Sequence, residues 1–326
     1  MSLSCDKKER GMVGGYVSAG RRIFMNNKVT VLMSTYNGEK FIQEQLDSIF
    51  TQKLVDIVLV VRDDGSTDNT KKILIENQRQ HTNMIIIDDG MNMGACKSFL
   101  GLINQNYDSD YFALADQDDI WDEDKLIVAI NQIALEEPTL YFSNLRLVDS
   151  ENNFIRNSHS NQQTNSRNYA FLSVPLPTGC TVVYNKALSN IVSKYPVENY
   201  SMHDTFLYNV ACIFGKVIYD YEPHINYRLH GNNVVGALNF NCSMDGIKRE
   251  LKYIFEKKRI RSVNAEILYN RYSEILCAED LLKISKVINY RESFLATLRL
   301  LLDGDFKPDG LYRTIRFKIM VLLHTF

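Results

Sequence analysis

The sequence predicts an α/β protein built on a mostly parallel sheet. Three observations lead there. Short apolar runs of strand length alternate with amphipathic stretches of helix length from Val29 to Ala115. Each apolar run gives way to a polar loop rich in Asp, Asn, Ser, Thr or Gly. The composition is that of an ordinary globular chain: 326 residues, 45% hydrophobic, 23% charged, formal net charge −2.

The elements follow in order. Val29–Thr35 is a β-rich run, and Glu39–Phe50 places Phe41, Ile42, Leu46, Ile49 and Phe50 on one helical face. Asp56–Val61 reads as a second buried strand, followed by a helix capped by Ser66 or Thr67 and running to about Arg79. Met84–Ile87 is a third strand, Gly94–Asn104 a short helix and Tyr111–Ala115 a fourth strand. Strands joined through helices make right-handed crossovers, and ligands of such sheets bind at the carboxyl ends of the strands. Further on, Thr139–Leu147 and Thr181–Tyr184 read as strands and Phe206–Phe214 as a helix. Another strand ends near Tyr221, and Asn152–Arg167 is polar enough to be a flexible loop.

The polar loops fall at those carboxyl ends. After the fourth strand, Asp116-Gln117-Asp118-Asp119 puts three carboxylates into four residues. Like charges so close are costly unless water or a cation screens them. Hard oxygen ligands suit Mg2+ or Mn2+, which leave room for substrate phosphates; the plain alternative is a solvated acidic turn. Ser34-Thr35-Tyr36-Asn37-Gly38-Glu39 offers hydroxyls, an amide, a carboxylate and a flat ring beside a helix N-terminus, or simply a helix cap at Asn37. Asp64, after the second strand, is suited to accept a hydrogen bond from a nucleobase or ribose; Gly94 permits close backbone approach, and Lys97 suits a phosphate or an acidic partner such as Asp116. Downstream, Arg228 and His230 crowd a glycine-flanked loop with Asn232 and Asn233, where His230 can supply a nitrogen to a metal and Arg228 can hold a phosphate.

Taken in order and spacing, Thr35-Tyr36-Asn37, Asp63-Asp64-Gly65-Ser66, Asn92-Met93-Gly94 and Asp116-Gln117-Asp118 resemble the signatures of the family-2 glycosyltransferases, over about Lys28 to Gly236. The resemblance implies a GT-A type nucleotide-sugar-binding fold and inverting, metal-dependent sugar transfer with Mg2+ or Mn2+. By position, it implies a nucleoside pocket at Thr35, Tyr36, Asn37, Glu39 and Asp64, and donor contacts from Gly94, Lys97, Asp116, Gln117 and Arg228. It makes Asp118 a metal ligand with His230, and sets Thr178 and Gly179, after Pro175-Leu176-Pro177, in the acceptor pocket. In Ser201-Met202-His203-Asp204, Asp204 takes the place of the catalytic base, with His203 beside it; helix capping is the alternative. Trp121, the only tryptophan, either lines the sugar site or packs in the core. The set looks most like the bacterial rhamnosyltransferases of surface polysaccharide synthesis, which use dTDP-L-rhamnose; users of UDP-galactose, UDP-glucose or UDP-N-acetylhexosamine look similar. A nucleotide-sugar-binding assembly protein without turnover is the reading from another class.

The rest bounds the setting. Residues 1–27 are expected to be a disordered extension foreign to the fold, 28–240 the catalytic domain and 241–326 a helical region. Six scattered cysteines without a Cys-x-x-Cys pair suit a reducing cytosol, and the net charge gives no reason to expect nucleic acid. No apolar run reaches membrane-span length. From Gly246 onward sixteen Lys and Arg face ten Asp and Glu. There, Ile247–Ile260 and Arg291–Leu302 show helical spacing, and Leu311–Leu323 mixes bases with large apolar residues. That last segment is expected to touch an anionic membrane surface, where a lipid-linked acceptor waits, or to pack on the catalytic domain or a second subunit.

Overall fold

A computed structural model describes residues 27–158, 169–172, 177–230, 259–308 and 310–326. The N-terminal extension to residue 26, most of the polar stretch before Arg167, Pro175 and Leu176, the Gly231–Gly236 loop and most of the run from Ile247 lie outside the described residues.

Strand β1 (Lys28–Thr35) pairs in parallel with β2 (Asp56–Asp63) on one side and β4 (Tyr111–Ala115) on the other, and β3 (Met84–Asp88) adds in parallel to β2. Helices α1 (Ile42–Phe50), α2 (Thr70–Gln80) and α3 (Ala95–Ile103) make the connections. Beyond β4 the sheet becomes mixed. Its path is β3-β2-β1-β4-β8-β6-β9-β5, where β5 is Ile120–Trp121, β6 Thr139–Val148, β8 Val182–Asn185 and β9 Lys216–Arg228. β7 (Phe154–Asn157) pairs off the path with β6. Helix α4 (Lys125–Gln132) follows β5, and α5 (Lys186–Lys194) and α6 (His203–Phe214) lie between β8 and β9. The C-terminal helices are α7 (Ile260–Tyr272), α8 (Ala278–Asn289), α9 (Phe294–Leu302) and α10 (Leu311–Leu322).

The strand period of two sorts side chains between two cores. Val29, Val31 and Met33 of β1 join Ile42, Leu46 and Ile49 of α1, while Leu32 joins Phe99 and Leu102 of α3 and Phe206 and Val210 of α6. The second core continues without a break into Leu268, Tyr272, Tyr290, Phe317 and Phe326 of the C-terminal region. Among the described residues no helix is long and apolar enough to cross a membrane.

Several boundaries differ from expectation. β9 does not end near Tyr221 but runs on to Arg228, its register against β6 shifting where Pro223 interrupts the ladder. Part of the expected flexible loop after Asn152 is β7, because β6 is long enough to offer a free edge at Arg146–Val148. Ser66 and Thr67 do not cap α2, which begins at Thr70. They are engaged instead by Asp63, which accepts from the Ser66 amide at 2.8 Å, and by Asn37, whose Oδ1 accepts from the Thr67 amide at 2.8 Å. α6 begins at His203, which brings Asp204 into its first turn.

Candidate active site

The first two polar loops are sewn to each other. Asn37 sits at φ 49°, a backbone angle that Asn tolerates, and its amide donates to Ser66 Oγ at 3.0 Å. The Gly38 amide donates to Thr70 Oγ1 at 2.8 Å, and Glu39 Oε2 accepts from the Asn69 amide and side chain at 2.9 and 2.7 Å. Thr35, placed by sequence in the nucleoside pocket, is 1% exposed and donates its hydroxyl to buried Asp63 at 3.0 Å. It braces the loop from below. Asn37 and Glu39, expected in the same pocket, are likewise engaged in holding the loops, with Glu39 remaining exposed. Tyr36 is different: it is 48% exposed at the loop tip.

Asp64 organises the third loop. Its Oδ1 accepts from Met93 N–H and its Oδ2 from Gly94 N–H, each at 2.8 Å, while Arg62 Nη1 reaches Oδ1 at 2.5 Å. Gly94 can face Asp64 this way because its φ is +82°, open to glycine but strained for other residues. Arg62 is buried, which opposes its charge, but its pairs with Asp64 and Asp89 outweigh burial and raise its pKa. Arg62 has no role in the sequence reading, standing between the apolar run Asp56–Val61 and the loop from Asp63; in the structure it is part of β2. Lys97 is exposed on the first turn of α3 and makes no ion pair with Asp116 among the described residues.

The acidic loop divides its carboxylates by environment. Gln117 pairs reciprocally with the Tyr36 backbone, its Oε1 accepting from N–H at 2.9 Å and its Nε2 donating to the carbonyl at 3.0 Å. This locks the fourth loop to the first. Asp118 Oδ2 stands 2.7 Å from His230 Nε2, both groups partly open to solvent. His230 stacks on Phe41 with ring centroids 5.1 Å apart. A carboxylate oxygen and an imidazole nitrogen held at one point suit a divalent cation, so the residues present fit the metal that the sequence implied. Asp116 is half-buried, and burial, then Asp118, then Asp204 push its pKa up to about 7. Asp119 turns inward: it is 1% exposed, and burial with its two neighbours lifts its pKa well above the carboxylate range. Asp116, Asp119 and buried Cys180 bring one side-chain atom each within 4.8 Å of one another beneath the loop.

Two expectations are corrected here. Arg228 does not face a phosphate. It is 2% exposed, and its guanidinium donates to the Asp118 carbonyl (3.1 Å), the Ser150 carbonyl (2.7 Å) and Glu44 Oε2 (2.8 Å). Its amide also donates to Asp119 Oδ1 at 3.2 Å, and its guanidinium lies over the Phe41 ring at 4.5 Å. Because β9 continues to Arg228, the side chain is drawn under the acidic loop, where it holds Asp118 against His230. Trp121 does not line an acceptor pocket. It is 3% exposed in the core, with the buried Lys125 ammonium 3.7 Å above its ring. Burial pushes that lysine down to about 8.

The last group comes from α6. Asp204, 8% exposed, accepts from the Thr205 amide at 2.5 Å through Oδ1. It lies close enough to Asp116 and Cys96 to raise the pKa of both, so the start of α6 faces the acidic loop. His203 is 5% exposed and stacked on Phe99 at 4.1 Å; burial lowers its pKa and keeps it neutral. Gly179 makes room for it, since a Cβ there would stand 2.9 Å from His203 Nε2. Gly179 thus lies against His203 and Asp204. Phe41 and Glu44 were missed as site supports: Phe41 reads as an ordinary apolar helix residue, and only the fold shows what it carries.

Comparison with known proteins agrees with this architecture. Residues 30–191 match the family model described as Glycosyl transferase family 2. The chain is 36% identical over 252 residues to the dTDP-rhamnosyl transferase RfbG of Shigella flexneri, covering 72% of this chain and 85% of that protein. It is 23% identical to an uncharacterised glycosyltransferase of Nostoc sp., covering 70% and 74% of the two chains. Among solved structures, TarS of S. aureus (residues 1–349) superposes with a TM-score of 0.54 at 18% identity, covering 91% of this chain and 81% of that one. At that identity the likeness speaks for the fold alone.

Proposed function

The chain belongs to glycosyltransferase family 2, and from that premise we propose that it is an inverting, metal-dependent enzyme that moves L-rhamnose from dTDP-L-rhamnose to a hydroxyl of a growing surface polysaccharide or lipid-linked saccharide. The observation that carries the reading is the meeting of Asp118 and His230 at 2.7 Å across 112 residues of sequence, with Asp116 and Asp204 around them. The similarity to RfbG supports the donor.

In this reading Tyr36 and the loop around Asp64 receive the nucleoside, with Gln117 fixing Tyr36. Lys97 approaches the diphosphate and Asp116 the donor sugar. Asp118 and His230 would hold Mg2+ or Mn2+, which when bound would offset negative charge on the nucleoside diphosphate leaving group. Thr178 and Gly179 line the acceptor side. Asp204 takes the proton from the acceptor hydroxyl, whose oxygen bonds to the anomeric carbon as the bond to the diphosphate breaks on the opposite face. Neutral His203, wedged between Phe99 and Gly179, positions the start of α6. We place the reaction in the cytoplasm, where nucleotide-sugar donors are made.

Nucleoside diphosphate release is the test, with dTDP-rhamnose and UDP-galactose, UDP-glucose and UDP-N-acetylhexosamines as donors, with and without Mg2+ or Mn2+. Release from dTDP-rhamnose above the others, dependent on metal, is expected. Asp118→Ala and Asp204→Asn each abolish transfer, the latter by roughly 10²–10⁴-fold for a lost general base, while Asp204→Asn still binds donor. Transfer at the wild-type rate by either variant overturns the roles; donor binding without release from any sugar makes the chain a binding protein.

A further inference from the structure

Helices α9 and α10 pack on each other and turn Leu300, Phe317, Met320 and Val321 into the core. Their outer sides are apolar as well. Phe294, Leu298 and Leu302 recur at steps of four on α9, as do Leu311, Ile315 and Ile319 on α10. Phe294 is 82% exposed, Leu302 74% and Leu311 78%. Apolar rows on the outer side as well mark a surface that meets a membrane or another protein. A cleft of about 580 Å³ opens between the two helices, lined by Leu302, Leu311, Phe317 and exposed Lys307 and Lys318, and by Asp303, whose carboxylate is paired with Lys283 and Lys286. The residues from Leu311 to Phe326 carry Arg313, Arg316 and Lys318 and no carboxylate side chain. A two-fold dimer through this face would set these cations against their own copies. A bilayer surface offers acyl chains for the leucines and phosphates for the lysines.

We propose that this face of α9 and α10 lies in the headgroup layer of an anionic phospholipid bilayer, with Phe294, Leu302 and Leu311 at the acyl boundary and Lys307 and Lys318 against lipid phosphates. The inference stands apart from the transfer reading, and its test uses no donor. The full chain is floated with vesicles of phosphatidylcholine alone and of phosphatidylcholine mixed with phosphatidylglycerol, at low and high salt. Binding about tenfold or more stronger to the anionic vesicles is expected, and it weakens as salt screens the lysines. Lys307→Glu with Lys318→Glu lowers that binding about tenfold or more. Leu302→Ser with Leu311→Ser, both exposed and so compatible with an unchanged melting temperature, removes it. The proposal is overturned by absent vesicle binding, by binding that neither double variant reduces, or by a dimer in solution that the leucine variant dissolves.

Discussion

At the scale of single residues, surroundings decide what each carboxylate of the acidic loop can do. Asp119 faces the core and accepts from the Arg228 amide, Asp118 meets His230, and Asp116 feels the charges of both Asp118 and Asp204. Arg228 keeps these assignments in place, because one guanidinium ties the acidic loop, the β6–β7 turn and α1 together. Arg228→Ala therefore takes the donor from the partly buried Asp118 and Ser150 carbonyls and empties the space of a buried guanidinium, and is expected to destabilise the protein by about 1–3 kcal/mol. It should also weaken metal affinity, because Asp118 loses its brace. Denaturant unfolding together with Mn2+ titration checks this; unchanged metal affinity would leave Arg228 a purely structural residue. At this scale the sequence showed which residue types gather at the site. It could not separate a phosphate-binding arginine from a bracing one, because that depends on where β9 ends.

Elements meet at two junctions that fix the site's frame. Gly215 joins α6 to β9 so closely that a Cβ would stand 1.8 Å from the Pro138 carbonyl oxygen, which accepts from Lys216 N–H at 2.8 Å. Gly215→Ala must push β9 from β6 and is expected to cost about 1–3 kcal/mol, read as a lower unfolding midpoint. The second junction is the corner of β9 with α4. There the Asp220 carboxylate accepts from Tyr141 Oη at 2.9 Å and Gln132 Nε2 at 3.0 Å and lies 3.7 Å from His224. Burial works against the charge on Asp220, but these partners win and hold its pKa below the usual range, while Asp220 raises that of His224. The raised histidine contributes stability that is complete below its unfolded pKa of about 6.5 and is lost as pH rises through the folded value. The lowered carboxylate contributes above about 3.9 and is lost as pH falls. The corner is thus firmest between these limits. Melting temperatures across pH 6 to 8 should fall more for the wild type than for His224→Gln; equal slopes would refute the linkage.

For the whole molecule, the helices after residue 258 complete a core shared with α3 and α6. Tyr272, Tyr290, Phe306 and Phe326 are fully buried in it, and Asn264 Nδ2 donates to Ser201 Oγ at 2.6 Å just before His203. The sequence-based division at 240 and 241 marks a change of composition, and the buried core crosses it. A chain cut at residue 258 exposes that core and is expected to bind a hydrophobic dye, lose cooperative melting and lose transfer. Cooperative melting by the shortened chain would show that the catalytic part stands alone.

The sequence by itself determined the alternating strands and helices, the polar loops at four strand ends and the residues gathered there, because period and turn chemistry are local properties of the chain. The approach of Gly179 to His203 came only with the fold. The tertiary structure alone decided that Arg228 braces rather than binds, that Thr35 and Trp121 lie below the site, that Phe41 supports His230, and that α9 and α10 keep an apolar face outward. Those outcomes rest on contacts between segments far apart in the chain, where burial is set by the packing of several elements at once.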